Sequence, residues 1–278
     1  MHSRKRLPTL SLLSALTLAG AGCSSPTGTA ARQSPADRPA AGHSRDTPPT
    51  RPLDPATLGD VSGVVRLAGK PPAPLRIDTS MDPACALRGG TVFTEQYALK
   101  GDRLANVYVY VKSFSGPLPP AAPHQPVVID QKGCLYTPHV VAVQVGQPVE
   151  FRNSDPTMHN IHTMPAAAGN TPLDLSQGPS GKPQTTSFTT PEAMMPLRCN
   201  NHPWMNAFLN VSATPWFAVT APDGLFELTG LPAGDYVIAA VHEKLGEQQF
   251  KLTVKPRTAA QADFTFAIKE PHHDTAGD

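Results

Sequence analysis

Short apolar segments, separated by Gly, Pro, Asp and Asn, recur along this chain from Val61 to Ile268. Val, Ile, Phe and Tyr dominate these segments, and apolar residues often alternate with polar ones. Alternation and punctuation of this kind are typical of strands in a β-sandwich or barrel. The 32 prolines and 21 glycines among 278 residues favour many turns. No sustained helical period follows the first 22 residues, so the sequence predicts an all-β fold.

The first 22 residues have the layout of a secretory signal. Arg4, Lys5 and Arg6 precede an apolar run over residues 7–22, which is too short to span a bilayer comfortably. The formal net charge of the chain is +1, and basic residues do not cluster beyond the first six positions. This charge pattern excludes nucleic acid as the main partner.

The apolar run ends at Cys23 and resembles a bacterial lipoprotein signal, in which this cysteine becomes the lipidated first residue. Gly20 departs from the leucine that usually lies three positions earlier, so ordinary cleavage after Ala21 is the alternative. Residues 23–58 have few large apolar side chains, which predicts a disordered linker. We therefore expect an exported protein, periplasmic or on the cell surface, attached to the membrane through a lipid on Cys23.

The last third of the chain contains a tight Asp223-Gly224 turn, a strand, a Leu-Pro-x-Gly bend and another strand. This pattern resembles the transthyretin-like sandwich of carboxypeptidase regulatory-like modules. The resemblance implies that this sandwich is built from residues 59–123 and 213–270, with a second β-domain over residues 124–212 inserted between the two parts. A single enlarged sandwich is the alternative, and residues 271–278 form a polar tail.

The residues that carry chemistry lie in one short segment, in which Cys199, His202 and Met205 have the spacing C-x2-H-x2-M. A soft thiolate with imidazole ligands suits copper, and a weak axial thioether characterises electron-transfer copper sites. One loop cannot supply the whole trigonal plane, so a further imidazole must come from elsewhere. The segment over residues 151–162, which contains His159 and His162, is the candidate source.

These motifs occur in the order Tyr136-x-Pro138, the strand over residues 143–153, His159-Asn160 and the C-x2-H-x2-M loop. In this order the chain resembles the cupredoxins, the plastocyanin- and amicyanin-like type 1 blue copper proteins, which are Greek-key sandwiches. The resemblance implies that His159, Cys199 and His202 are equatorial ligands of one copper ion and that Met205 is the axial ligand. Asn160 would brace the two ligand loops near the thiolate. Asn201 departs from the family, which has proline before this histidine.

The same resemblance implies a one-electron carrier that alternates between Cu(I) and Cu(II), rather than an enzyme. The outer edge of His202 would be the electron port, with Pro203 and Trp204 forming an apolar patch on which redox partner proteins dock briefly. A copper-delivery protein and a surface binding module without a redox role are the alternatives.

The chain has four cysteines. With Cys23 assigned to lipid and Cys199 to metal, Cys85 and Cys134 remain, and in an exported protein they are expected to form a disulfide. The alternative is that both are free or bind another ion.

Overall fold

Nearly all regular structure in this protein is β-strand, as the sequence predicts. The computed structural model describes residues 53–87, 91–116 and 122–268. The strands are β1 (Leu58–Ala68), β2 (Arg76–Ile77), β3 (Val92–Phe93), β4 (Leu99–Lys100), β5 (Arg103–Leu104), β6 (Tyr108–Phe114), β7 (Val127–Gln131), β8 (Tyr136–Thr137), β9 (Val140–Gln144), β10 (Pro148–Asn153) and β11 (His159–Thr163). They continue as β12 (Asp174–Gln177), β13 (Gln184–Ser187), β14 (Glu192–Arg198), β15 (Asn206–Ser212), β16 (Phe217–Val219), β17 (Leu225–Pro232), β18 (Gly234–His242), β19 (Gly246–Val254), β20 (Ala259–Gln261) and β21 (Phe264–Ala267). A 3-10 turn (Pro55–Thr57) and one short helix, α1 (Pro83–Ala86), complete the described elements.

One apolar core lies among strands from the two ends of the described chain. β1 is central to its first sheet and pairs antiparallel with β17 and β5 and parallel with β20 and β21. The second sheet has the order β16-β6-β18-β19. Along β17 the burial alternates for the first five residues, as expected for a strand with one face on a core. The shared core includes Val61, Val65, Leu104, Val109, Leu228, Tyr236, Ile238 and Phe266.

Gly224 forms the turn that leads into β17. Its φ is +70°, and an added Cβ would lie 2.6 Å from the carbonyl oxygen of Val65. Only glycine accommodates both the left-handed backbone and this close approach without strain. The Asp-Gly turn expected from the sequence is therefore present, and the carbonyl of Gly224 accepts the backbone N–H of Val65 in β1 at 2.8 Å.

A second apolar core lies among strands from the middle of the chain. Its sheets have the orders β13-β10-β7-β8 and β12-β11-β14-β15-β9. β10 buries Val149, Phe151 and Asn153 in alternation. The buried cluster includes Ile129, Tyr136, Val143, Ile161, Met195, Leu197 and Leu209, and Cys85 is its one member from before residue 127. The proposed domain boundaries at 123/124 and 212/213, and the transthyretin-like nature of the first core, stay predictions.

Several sequence predictions lie outside the described residues. These are the signal peptide at 1–22, lipidation of Cys23, the linker up to residue 52 and the tail at 271–278. Among residues 53–87, 91–116 and 122–268, no helix has both the length and the apolar character needed to cross a membrane.

A buried polar contact connects the second core with the end of β18. His139 Nε2 lies 2.8 Å from Glu243 Oε1. The neighbouring residue, His242, is 2% exposed and stacks on Tyr97 with ring centroids 5.7 Å apart. Burial lowers the pKa of His242 to about 4, against the opposing charge of Glu243. The backbone N–H of Lys244 also donates to His242 Nδ1 at 3.2 Å, so protonation of this nitrogen would break a hydrogen bond.

We expect His242 to destabilise the fold in acid. Its folded-state pKa lies below the unfolded value of about 6.5, so the unfolded chain binds the proton first as the pH falls. The free energy of unfolding should therefore decrease from about pH 6.5 to about pH 4, by up to about 3 kcal/mol from this group. His242→Gln, which keeps an acceptor, should remove most of this loss in urea unfolding measured near pH 7 and near pH 4.5.

The matched control is His124→Gln, at an exposed histidine, which should leave the pH dependence unchanged. An equal loss of stability in the wild type and in His242→Gln would contradict the assignment to His242.

Candidate metal centre

The loop between β14 and β15 turns its three predicted ligands into the protein. The backbone N–H of Cys199 donates to the carbonyl of Met205 at 3.2 Å, and the N–H of Met205 donates to the carbonyl of His202 at 2.9 Å. These bonds fold the seven-residue loop back on itself. Cys199, His202 and Met205 are all buried.

The fourth predicted ligand, His159, is brought to this loop by strand register. β11 pairs antiparallel with β14, and His162 lies opposite Arg198. Extending that register places His159, the first residue of β11, beside the loop that follows β14. His159 is fully buried.

Three donor atoms converge at this point. His159 Nδ1 lies 2.9 Å from His202 Nδ1, and His202 Nδ1 lies 3.5 Å from Cys199 Sγ. All three atoms lie within 4.8 Å of one another. The predicted residues His159, Cys199 and His202 are thus brought together in the structure. Met205 is buried in the same apolar cluster, and its role as axial ligand stays a prediction.

The outer nitrogen of each imidazole, Nε2, lies within hydrogen-bond distance of a carboxylate oxygen. His159 Nε2 lies 2.9 Å from Asp155 Oδ2, and His202 Nε2 lies 2.9 Å from Asp82 Oδ2. The hydrogen bond from His202 lowers the pKa of Asp82 to about 2. Burial raises the pKa of Asp155, but the N–H groups of Cys134 and Gly133 and the His159 ring outweigh it and hold the pKa below its usual range. Both carboxylates are therefore ionised near neutral pH.

These contacts determine which ring nitrogens are free to bind a metal. An ionised carboxylate only accepts hydrogen bonds, so the Nε2 that faces it carries the proton. A neutral imidazole has one N–H, which leaves Nδ1 with a lone pair. Burial lowers the pKa of His159, so this ring is neutral near neutral pH. The Nδ1 lone pair of neutral His159 faces Nδ1 of His202 at 2.9 Å, so the two nitrogens are placed to share a proton or a cation.

The surroundings of Cys199 suit a thiolate. Its Sγ accepts the backbone N–H of Asn160 at 3.3 Å. The Asn160 side chain accepts from the N–H of Asn200 at 3.4 Å and donates to Asp174 at 2.8 Å. Asn160 therefore contacts the loop that follows β14 as well as its own strand. One soft sulfur and two imidazole nitrogens in a buried site fit copper, and the residues present fit the ion that the sequence predicts.

The expected disulfide is present between Cys85 and Cys134, which are 49 residues apart in sequence. It attaches α1 to the turn before β8. Cys134 also contacts the site directly, because its carbonyl accepts from Trp204 Nε1 at 3.1 Å. The disulfide therefore lies beside the candidate metal centre.

The expectation that the outer edge of His202 is exposed is wrong. The residue is 2% exposed, because Asp82 covers its Nε2. Pro203 is exposed and Trp204 is half-buried, so only these two residues of the predicted electron port reach the surface. His162 Nδ1 lies 2.9 Å from Asn200 Oδ1.

Sequence reasoning missed both carboxylates. Asp155 lies four residues before His159, so a search for acidic residues near the predicted ligand would have found it. Asp82 lies 120 residues from His202. Its only signal in the sequence was its position three residues before Cys85, a predicted half of the disulfide.

No family model matches the chain, and no curated protein matches it. The chain is similar to the copper-containing nitrite reductase from Thermus scotoductus SA-01, with 21% identity and a TM-score of 0.28 over 53% of this chain and 28% of that one. It is also similar to an oxidised amicyanin mutant, with 21% identity and a TM-score of 0.29 over 37% of this chain and 98% of that one. A Cu(I) amicyanin mutant gives 20% identity and a TM-score of 0.29 over the same shares. The chain thus spans 28% of the length of the nitrite reductase.

We expect Asp155 to orient His159 for metal binding. Asp155→Asn removes the charge and one acceptor oxygen beside Nε2, and loss of such a contact typically lowers metal affinity by about 10–100-fold. Affinity for Cu(II) can be measured by competition with a chelator. The control is Asp130→Asn, because Asp130 accepts from Ser154 at 2.8 Å next to Asp155. Unchanged affinity in Asp155→Asn would show that the carboxylate does not position the ring.

Proposed function

We propose that this chain is an exported mononuclear copper protein that acts as a one-electron carrier. The observation that carries the proposal is the convergence of Cys199 Sγ with the Nδ1 atoms of His159 and His202. These donors come from the start of β11 and from the loop after β14, and they meet in a buried site. A thiolate with two imidazoles, and a thioether nearby on Met205, form a donor set that suits electron-transfer copper.

Burial favours electron transfer over catalysis at the metal. A catalytic metal site keeps an open coordination position for water or substrate. Here Cys199 and both histidines are at most 4% exposed, which leaves little access for a substrate. An electron needs no such opening, because it passes through the surrounding protein.

The residues around the site favour a fixed geometry. Asp155 and Asp82 hold the two imidazole rings from outside, and the Asn160 N–H holds the sulfur. Bound copper would supply the Cu(I)/Cu(II) couple. Because these hydrogen bonds resist ring rotation, the ligands would keep their positions in both oxidation states, which lowers the reorganisation that opposes transfer.

A second candidate function is copper delivery. Met158, next to His159, is 51% exposed, and Met81, next to Asp82, is 73% exposed. Exposed thioethers are soft ligands that favour Cu(I). Under this alternative, copper at the buried donors would exchange readily with an acceptor.

Export and a lipid on Cys23 remain part of the proposal. A buried disulfide supports it, because disulfides persist in oxidising compartments outside the cytosol. The redox partners would be other proteins of that compartment.

The absorption spectrum of the copper-loaded protein tests the proposal. Wild type should become intensely blue with Cu(II), because the Cys199 thiolate donates charge to the ion, and a mild reductant should bleach the colour. Cys199→Ser should lose the colour, because the hydroxyl replaces the thiolate. Arg198→Ala, at an exposed neighbouring position, should keep it.

A colourless wild type, or colour that persists in Cys199→Ser, would contradict the electron-carrier function. Colourless copper that a chelator removes quickly would instead support delivery.

A further inference from the structure

The outer edge of His202 is covered by a segment from far away in the chain. We define the cap as residues 78–87, which lie between β2 and β3 and contain α1. Asp82, at the N-terminus of α1, places Oδ2 2.9 Å from His202 Nε2. The His202 side chain is 3% exposed, whereas the Asp82 side chain is 20% exposed. On the Nε2 side of His202, the Asp82 side chain is therefore exposed to solvent and the imidazole is not.

Asp82 is fixed from several sides. Its Oδ1 accepts the backbone N–H of Ala84 at 2.7 Å, and its Oδ2 accepts the hydroxyl of Thr157 at 2.8 Å. Cys85, three residues further on, is bonded to Cys134. A surface carboxylate normally loses side-chain entropy when it holds one geometry. Here the contacts with Ala84 and Thr157, together with the disulfide, already fix the geometry of the Asp82 side chain without His202.

The two carboxylates have different surroundings. Asp155 is 4% exposed and lies behind His159. Asp82 lies at the surface, in front of His202, on the side where the resemblance noted in the sequence implies a bare imidazole edge. The same hydrogen bond therefore orients the ring and separates it from solvent.

We propose that Asp82 is a positioning residue for His202 and that the cap insulates the metal centre on this side. This inference rests on the proposed electron-carrier function. It means that a redox partner reaches the site across the cap and not by direct contact with the imidazole. Electron exchange between two copies of the protein, or with a small redox reagent, is then slow compared with exchange through an uncovered ring.

Three variants test the inference. Asp82→Ala uncovers His202 Nε2, whereas Asp82→Asn keeps a side chain of the same size and one acceptor over it. The matched control is Asp54→Ala, because Asp54 precedes Pro55 and Ala56 as Asp82 precedes Pro83 and Ala84, and its side chain likewise accepts the N–H of the alanine at 2.9 Å. The control loses the same local contact away from the site.

Two NMR rates and the Cu(II) affinity are measured for each variant. In the copper-free protein, NMR follows the exchange of the His202 Nε2 proton with water. In the copper-loaded protein, NMR of a mixture of both oxidation states gives the rate of electron self-exchange. In Asp82→Ala the proton should exchange much faster, the self-exchange rate should rise severalfold, and Cu(II) affinity should fall by about 10–100-fold. Asp82→Asn should lie nearer to wild type in both rates, and Asp54→Ala should match wild type.

Unchanged proton exchange and self-exchange in Asp82→Ala, with the blue colour retained, would overturn the inference and leave the electron-carrier function intact. Equal rises of both rates in Asp82→Ala and Asp54→Ala would overturn it as well. Loosening of a helix end would then explain the faster exchange without any role for the contact between Asp82 and His202. A wild type without blue colour would overturn the electron-carrier function and the insulating role together. In that case the Nε2 proton exchange of the copper-free protein still decides whether Asp82 positions the ring.

Discussion

The contacts of Asp155 and Asp82 with the outer nitrogens of two imidazoles determine the chemistry of this site. Each ionised carboxylate faces the Nε2 of its ring as a hydrogen-bond acceptor, which leaves the two Nδ1 atoms beside each other, with that of His202 3.5 Å from Cys199 Sγ. A half-turn of either ring about its Cβ–Cγ bond would put Cδ2–H in the place of Nδ1, and this carbon cannot bind a cation. The β-sandwich brings His159, Cys199 and His202 together, and these two hydrogen bonds turn the Nδ1 atoms toward the point where the three residues meet.

The convergence of the predicted ligand residues could be foreseen because their positions follow from local sequence. Cys199, His202 and Met205 lie in one loop between two strands, and the length of this loop limits how far apart they can be. His159 starts a strand that pairs with the strand before the loop. The alternation of apolar residues indicated these strands, and the cysteine count left one pair for a disulfide. The fold class depended on the same alternation.

The contact made by Asp82 and the burial of His202 could not be predicted in the same way. They depend on the segment from β2 to β3, in which Asp82 contacts a residue 120 positions further along the chain. Its two-residue strands and single helical turn carry no periodicity that a sequence pattern could reveal. The family resemblance supplied the opposite expectation, an exposed imidazole edge, because it covered residues 124–212 alone and could not include Asp82.

The disulfide joins these two parts of the site. Cys85 belongs to the short helix that Asp82 caps, and the N–H of Cys134 donates to the same Asp155 oxygen that faces His159. One covalent bond therefore connects the supports of both rings. A site that transfers electrons needs ligands that keep their positions, and it also needs a route to a partner. Here the connection that restrains the rings also places protein in front of His202. In the proposed electron carrier, rigid ligands would therefore come together with a longer path for the electron to the surface.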